Sequence, residues 1–252
     1  MVQIFADLSD MQEDILQIGG SDYNHIRNVL RMRPGEELAV RSRKAGEDSG
    51  EYRFEIVSFT EDRVVCRLLS VEQAKAELPV RVLLFQGLPK ADKMDFIVQK
   101  AVEMGACEII PVEMRRSIVK LAGSKRQKKV DRWQSIAEAA AKQSRRAVLP
   151  QVHDIVSMEE AVRYAAQAAD AVFVPYERMA GEEETGTRAL LDALQPGQTA
   201  AVFVGPEGGF EESEVAALIQ SGGHTVSLGR RILRTETAAL AFLAFLIYRF
   251  EL

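Results

Sequence analysis

The sequence predicts an α/β protein with a small, β-rich, barrel-like domain at the N-terminus and a larger domain built on a parallel sheet. Two observations predict it. Up to residue 72 the chain reads mainly as short strands punctuated by turn residues, whereas beyond Pro79 strands and helices alternate. The apolar segments of the second part are also continuous rather than alternating, as expected of strands covered on both faces. The domains are accordingly placed at residues 1–72 and 73–252.

In the first domain, Val2–Ala6, Glu37–Arg41, Tyr52–Phe59 and Arg63–Leu69 carry β-forming composition, separated by Pro34-Gly35 and Ser49-Gly50. A helix over Asp22–Arg31 interrupts them, with Ile26, Val29 and Leu30 able to face a core and Arg27 and Arg31 outward. Val71–Pro79 reads as a linker. Val80–Phe85 is then a strand, and Met94, Ile97, Val98, Ala101 and Val102 recur at helical spacing between a cap at Asp92 and a stop at Gly105. Glu108–Val112 is a strand, and a long helix follows over Gln127–Arg146. Ser157 and Glu160 form a capping box for the next helix. Ala171–Val174 and Ala200–Val204 are buried strands, the second leading through a loop to a helix over Glu211–Gln220. Thr225–Leu228 is the last strand and Glu236–Tyr248 the last helix. Its run from Ala238 to Tyr248 is apolar nearly all round, too short to span a bilayer, and calls for cover on more than one side, with Leu243 and Phe245 facing a partner subunit.

Composition excludes several classes. Two cysteines far apart and three histidines give neither a disulfide framework nor metal-ligand spacing, so no metal is expected, and a reducing cytoplasm fits. Met1–Asp10 lacks the basic start and apolar stretch of a signal peptide, and no membrane partner is expected. The net charge of −5 speaks against a polyanionic partner, but its distribution does not. Between Glu113 and Arg146 eleven Lys or Arg stand against three acids, and Lys142, Arg145 and Arg146 fall on one helical face. Such a stripe can hold a phosphate backbone; a solvated helix surface is the plainer alternative. The acidic run Glu182–Glu184 reads as a solvated loop.

Chemistry concentrates in loops at strand ends, where open α/β sheets bind ligands. Gly205-Pro206-Glu207-Gly208-Gly209 follows a buried strand but matches neither phosphate-binding glycine pattern, and its carboxylate would repel a phosphate. An uncharged or cationic ligand suits it better. A second loop, Leu228-Gly229 through Arg234, precedes the last helix, with Thr235 able to cap it. A third, Gln86 to Met94, places Gln86, Lys90 and Lys93 at a strand end.

These strings together resemble a known family. Gly87-Leu88-Pro89-Lys90 with Lys93-Met94, Gly205–Phe210, and Leu228–Ala238 are similar in type and order to the bacterial small-subunit ribosomal RNA uridine N3-methyltransferases of the SPOUT superfamily. His25–Arg33 with Pro34-Gly35 resembles that family's PUA-like domain. The resemblance implies a parallel sheet ending in a trefoil knot, a homodimer, S-adenosylmethionine as cofactor and 16S ribosomal RNA within the small ribosomal subunit as partner. It puts cofactor contacts on Val174, Pro175, Gly205, Glu207, Gly208, Leu228, Gly229, Ile232, Leu233, Thr237 and Ala238. Arg234 is the expected catalytic group, stabilising charge on the uracil. Glu207 is the second catalytic candidate, and Glu207, Glu236 or water remain open as general base. RNA contacts are expected from Arg27, Arg31 and Arg33 in the first domain, and from Lys90, Lys93, Arg115, Arg116, Lys142, Arg145 and Arg146 in the second. A ribose methyltransferase of the same superfamily and a non-catalytic RNA-binding protein are the rival readings.

Overall fold

The structure, a computed structural model, describes residues 1–43, 50–73, 76–119, 123–177 and 185–252. The acidic run Glu182–Glu184 and the Ser49 side of one expected turn lie outside these residues. Two compact units are present, Met1–Glu77 with Ala141–Leu149, and Leu78–Ala140 with Pro150–Leu252.

The first unit is a curled five-stranded sheet in the order β1-β3-β4-β5-β2. Its strands are β1 (Val2–Ala6), β2 (Ile15–Gly19), β3 (Glu37–Ser42), β4 (Gly50–Phe59) and β5 (Arg63–Gln73). All pairings are antiparallel except β1 with β3. Two register shifts in β4, at Arg53/Phe54 and Ile56/Ser58, bend the sheet around a core of Ile4, Leu16, Ile18, Leu38, Val40, Phe54 and Ile56. Sequence patterning missed β2, because Ile15-Leu16-Gln17-Ile18-Gly19 is short and preceded by acidic turn residues. The helix expected over Asp22–Arg31 is instead α1 (Gly20–Asn24) running into a π turn over His25–Val29. That wider turn leaves Ile26 buried while Val29 and Leu30 are exposed, so only one of the three expected core residues is buried.

The second unit is a parallel sheet in the order β12-β10-β11-β6-β7-β8, with β9 also pairing β7. Its strands are β6 (Arg81–Gly87), β7 (Glu108–Glu113), β8 (Gln151–Val152), β9 (Val156–Ser157), β10 (Ala171–Pro175), β11 (Thr199–Val204) and β12 (His224–Val226). All six residues of β11 are buried, which is why its sequence does not alternate. The helices are α2 (Lys93–Glu103), α3 (Ser124–Gln143, whose last turn belongs to the first unit), α4 (Met158–Ala168), α5 (Thr185–Ala193), α6 (Glu212–Gln220) and α7 (Thr235–Glu251). The Ser157–Glu160 capping box opens α4 as expected. The helix α5 was not foreseen.

Aromatic pairs show which helix covers which face. Phe173 of β10 packs on Phe242 of α7, ring centroids 5.1 Å apart. Phe85 of β6 stacks on Phe203 of β11 at 4.2 Å and meets Tyr164 of α4 at 6.0 Å. The helix α7 buries Thr235, Ala239, Phe242, Leu243 and Leu246 in its own unit. Leu243 is therefore core, which corrects its expected place against a partner. Because every strand is parallel, the loops after β6, β10, β11 and β12 emerge at one end of the sheet.

At the opposite end, Glu108 at the head of β7 is buried and receives Tyr164 Oη at 2.6 Å, His153 Nε2 at 2.7 Å and an Arg81 ion pair at 2.5 Å. Burial works against its ionisation, but the hydrogen bonds from His153 and Tyr164 outweigh that and hold the carboxyl below its usual range.

Candidate functional site

A cleft of about 420 Å³ opens where the loops after β10, β11 and β12 converge on the start of α7. Buried hydrogen bonds set this arrangement. Thr235 Oγ1 donates to the Gly205 carbonyl at 2.6 Å and accepts from Gln86 Nε2 at 2.8 Å, tying the ends of β6 and β11 to the first residue of α7. Thr235 is thus not the cap foreseen for α7: Arg234 holds the cap position, with its side chain making no capping bond. Gln86 is fully buried, and its Oε1 finds no hydrogen-bond partner among the described residues. The close approach of loop to strand also explains Gly87, where a Cβ would stand 2.6 Å from Pro206 Cδ.

A second set of contacts is ionic. Lys93 Nζ lies 3.1 Å from Glu207 and 3.2 Å from Glu236, and the Lys90 amide donates to both Glu207 oxygens at 3.1 and 3.2 Å. Partial burial pushes Glu207 toward protonation, but these bonds and its own backbone amide hold the carboxyl below its usual range. A carboxylate engaged this way accepts a proton reluctantly, which works against Glu207 as general base. Its bonds brace the loop against Lys90 and Lys93. The Lys93 ammonium, bonded to Glu207 and then Glu236, is held above its usual range, so the lysine expected to grip RNA phosphate is engaged with two carboxylates.

Of the expected cofactor residues, Pro175, Gly205, Glu207, Leu228, Gly229, Ile232, Leu233 and Ala238 line the cleft, together with the expected catalytic Arg234. Three do not. Val174 is fully buried in the sheet core. Thr237 faces a separate groove with Leu240 and Ala244. Gly208 is packed against protein: a Cβ there would meet Arg116 Cβ at 3.0 Å. Its lack of a side chain accommodates Arg116 in the chain after β7, while its neighbours Glu207 and Gly209 line the cleft. Sequence reasoning missed Tyr176, Glu177, Gly209, Phe210 and Arg231, all on the cleft. Gly209, Phe210 and Arg231 lie inside the motif strings themselves, and Tyr176 and Glu177 directly follow Pro175.

The basic residues separate into exposed and committed groups. Arg27, Arg31 and Arg33 are exposed, Arg27 lying over the Phe59 ring at 4.9 Å. Lys90 and Arg115 are exposed as well. Arg116 is spent on Glu211 at 2.8 Å and the Gly208 carbonyl at 3.0 Å, latching the glycine-rich loop. The face expected from Lys142, Arg145 and Arg146 does not form, because α3 ends at Gln143 and Arg145 takes a positive φ of 58°. Arg146 is 2% exposed and forked onto Glu77 at 2.6 and 2.9 Å. Lys142 is paired with Asp22 at 3.0 Å. Both of these expected phosphate contacts are thus paired with carboxylates of the chain, and of the three only Arg145 is exposed.

The cleft has apolar walls and charged groups of both signs, the cations being Lys93, Arg231 and Arg234. Leu228, Ile232, Leu233 and Ala238 give apolar walls, Glu177 and Glu207 give carboxylates, and the glycine-bearing turns expose backbone.

Known proteins resemble this chain throughout. An RNA methyltransferase domain model matches residues 76–247, and an RNA methyltransferase PUA domain model matches residues 18–69. The ribosomal RNA small subunit methyltransferase E of Bacillus subtilis is 37% identical, covering 100% of this chain and 98% of the relative. The protein of the same name from Mycobacterium tuberculosis is 32% identical over 88% of this chain and 82% of its own. Among solved structures, a ribosomal RNA small subunit methyltransferase E from Neisseria gonorrhoeae bound to S-adenosyl methionine superposes with a TM-score of 0.83 at 29% identity, covering 99% and 98% of the two chains.

Proposed function

The chain belongs to the RNA methyltransferase family, and on that premise we propose that it methylates N3 of a uridine in 16S ribosomal RNA. It is an S-adenosylmethionine-dependent ribosomal RNA methyltransferase with a PUA domain at its N-terminus. The observation that carries the finer reading is the convergence of the Gly205–Phe210 loop and the Gly229–Arg234 loop on one cleft, with the exposed Arg234 guanidinium at its edge.

Bound S-adenosylmethionine supplies an electrophilic methyl on a sulfonium. The protein supplies position and charge. Lys93, Glu207 and Glu236 fasten the loop after β11 to the starts of α2 and α7, so the cleft walls keep their spacing. Arg234 stabilises the negative charge that spreads over the uracil oxygens as N3 loses its proton. Glu207 and Glu236 both hold Lys93, and the proton leaves to water.

The substrate is the assembled small subunit in the cytoplasm, and the enzyme acts as a homodimer. Support for the dimer is a groove between α2 and α7 lined by Phe96, Leu240, Ala241 and Ala244, in which Phe96 is 46% exposed. The knot that the resemblance implies would hold the two cofactor loops together beside that groove.

The test is methyl transfer to small ribosomal subunits from a strain lacking the gene, read by nucleoside mass spectrometry. N3-methyluridine is the expected product. A ribose-methylated nucleoside would reassign the position, and no methyl uptake by subunits or by their free RNA would overturn the reading.

A further inference from the structure

Beside the cofactor cleft lies a second cavity of about 450 Å³, formed by α5, the far side of α7 and the loop after β12. It shares Leu228, Gly229 and Arg231 with the first cleft, so the two are separated by one stretch of backbone. Its floor is apolar, from Leu191 and Phe245, and its rim is basic and aromatic, from Arg188, Arg231, Arg249 and Tyr248. Tyr248 is 74% exposed, an unusual position for a ring with no structural task. Arg249 meets Asp192 at 3.5 Å, but neither Arg188 nor Arg231 has a carboxylate within ion-pair distance among the described residues. In a chain of net charge −5, arginines without a carboxylate partner among the described residues, gathered around an open apolar floor, mark where a polyanion is met.

We propose that this cavity is a subsite for single-stranded RNA, holding the nucleotides next to the one being methylated. The inference rests on the methyltransferase reading above and extends it to residues outside its motifs. The chemistry fits the two needs of single-stranded recognition. Arg188 and Arg231 hold phosphates, while Tyr248 offers a face on which an unpaired base stacks. A target base can enter the cofactor cleft only if it leaves its helix, and its neighbours then need a place outside the stack. The shared wall at Leu228–Arg231 puts that place directly beside the cleft.

Two variants, Arg188→Ala and Tyr248→Ala, test the proposal in the full-length protein, since neither side chain is buried or part of the cofactor cleft. Binding of a fluorescent oligouridylate is followed by anisotropy across a salt series. Arg188→Ala should lower the slope of log affinity against log salt by about 0.7, the share of one single-strand phosphate. Tyr248→Ala should weaken binding roughly 10-fold with the slope unchanged, as loss of a stacked base does. With small subunits as substrate, both should raise KM for RNA and leave KM for S-adenosylmethionine alone. Unchanged affinity, slope and RNA KM in both variants would overturn the proposal. So would a fall in sedimentation mass, which would give the cavity to a second copy of the chain. Oligouridylate binding is read without methyl transfer, so a wild-type protein that binds as described but transfers no methyl would remove the function and leave the subsite standing.

Discussion

At the scale of single residues, the site depends on groups that touch one another more than on groups that touch a ligand. Gly208 illustrates this. Its absent side chain leaves room for Arg116, whose guanidinium in turn holds the Gly208 carbonyl and Glu211. We expect Gly208→Val to push the loop off Arg116 and weaken S-adenosylmethionine binding at least about 10-fold, or about 1.4 kcal/mol, while far-ultraviolet circular dichroism stays unchanged. Calorimetric titration decides it, and unaltered affinity would mean that the latch does not shape the cleft. Lys93 gives a second case. Lys93→Met leaves Glu207 and Glu236 facing each other without a cation, and stability should fall by about 1 kcal/mol, the upper end for a partly exposed pair. Adding Glu207→Gln should recover part of that loss in thermal melts, because one of the two charges is removed. No recovery would show that Lys93 acts by packing.

At the scale of elements, the head of β7 should respond to pH. Glu108 has a folded-state pKa below its unfolded value, so its contribution is present above the unfolded carboxylate range and is lost as pH falls through the folded value. Glu108→Gln keeps one accepting oxygen but loses the charge, and should therefore cost about 1–2 kcal/mol at neutral pH by weakening the bonds from His153 and Tyr164 and removing the Arg81 pair. The gap in melting temperature between wild type and variant should close on acidification below that range. A gap independent of pH would show that the charge on Glu108 contributes nothing. The helix α3 carries a related lesson. Its lysines and arginines look like one free stripe in a charge count, yet Arg132 is bound to Asp95 at 2.6 Å and Lys129 lies 3.6 Å from Asp92. Pairing with α2 removes part of the charge that the sequence seemed to offer RNA.

At the scale of the whole molecule, the outer face of α7 is what an assembly would use. Phe242, Leu243 and Leu246 are fully buried in the chain's own core, so charging them would unfold the protein and say nothing of a partner. Leu240 and Ala244 line the groove with Phe96 instead. Leu240→Glu should keep the fold and convert a dimer to a monomer in sedimentation, with methyl transfer lost in parallel. A wild-type chain that sediments as a monomer and is fully active would defeat the assembly. No described helix is long and apolar enough to cross a membrane.

The order of elements, the parallel sheet and the loops that form the cleft were legible in the sequence, because each leaves a local mark. Buried strands read as continuous apolar runs, helices as repeats of about 3.6 residues, and strand-end loops as glycines. The short strands β2, β8 and β9 and the helix α5 left weaker marks and went unseen. What no local pattern records is which polar groups meet across the fold. Glu77 and Arg146 are 69 residues apart and bond; so do Lys90 and Glu207, 117 apart, and Gln86 and Thr235, 149 apart. The Gly208 carbonyl and the Lys93 ammonium are engaged by such bonds, and the cap expected at Thr235 is reassigned by them. A side chain's role depends on whether its charge or hydroxyl is already engaged, and only the packed chain decides which partner arrives first.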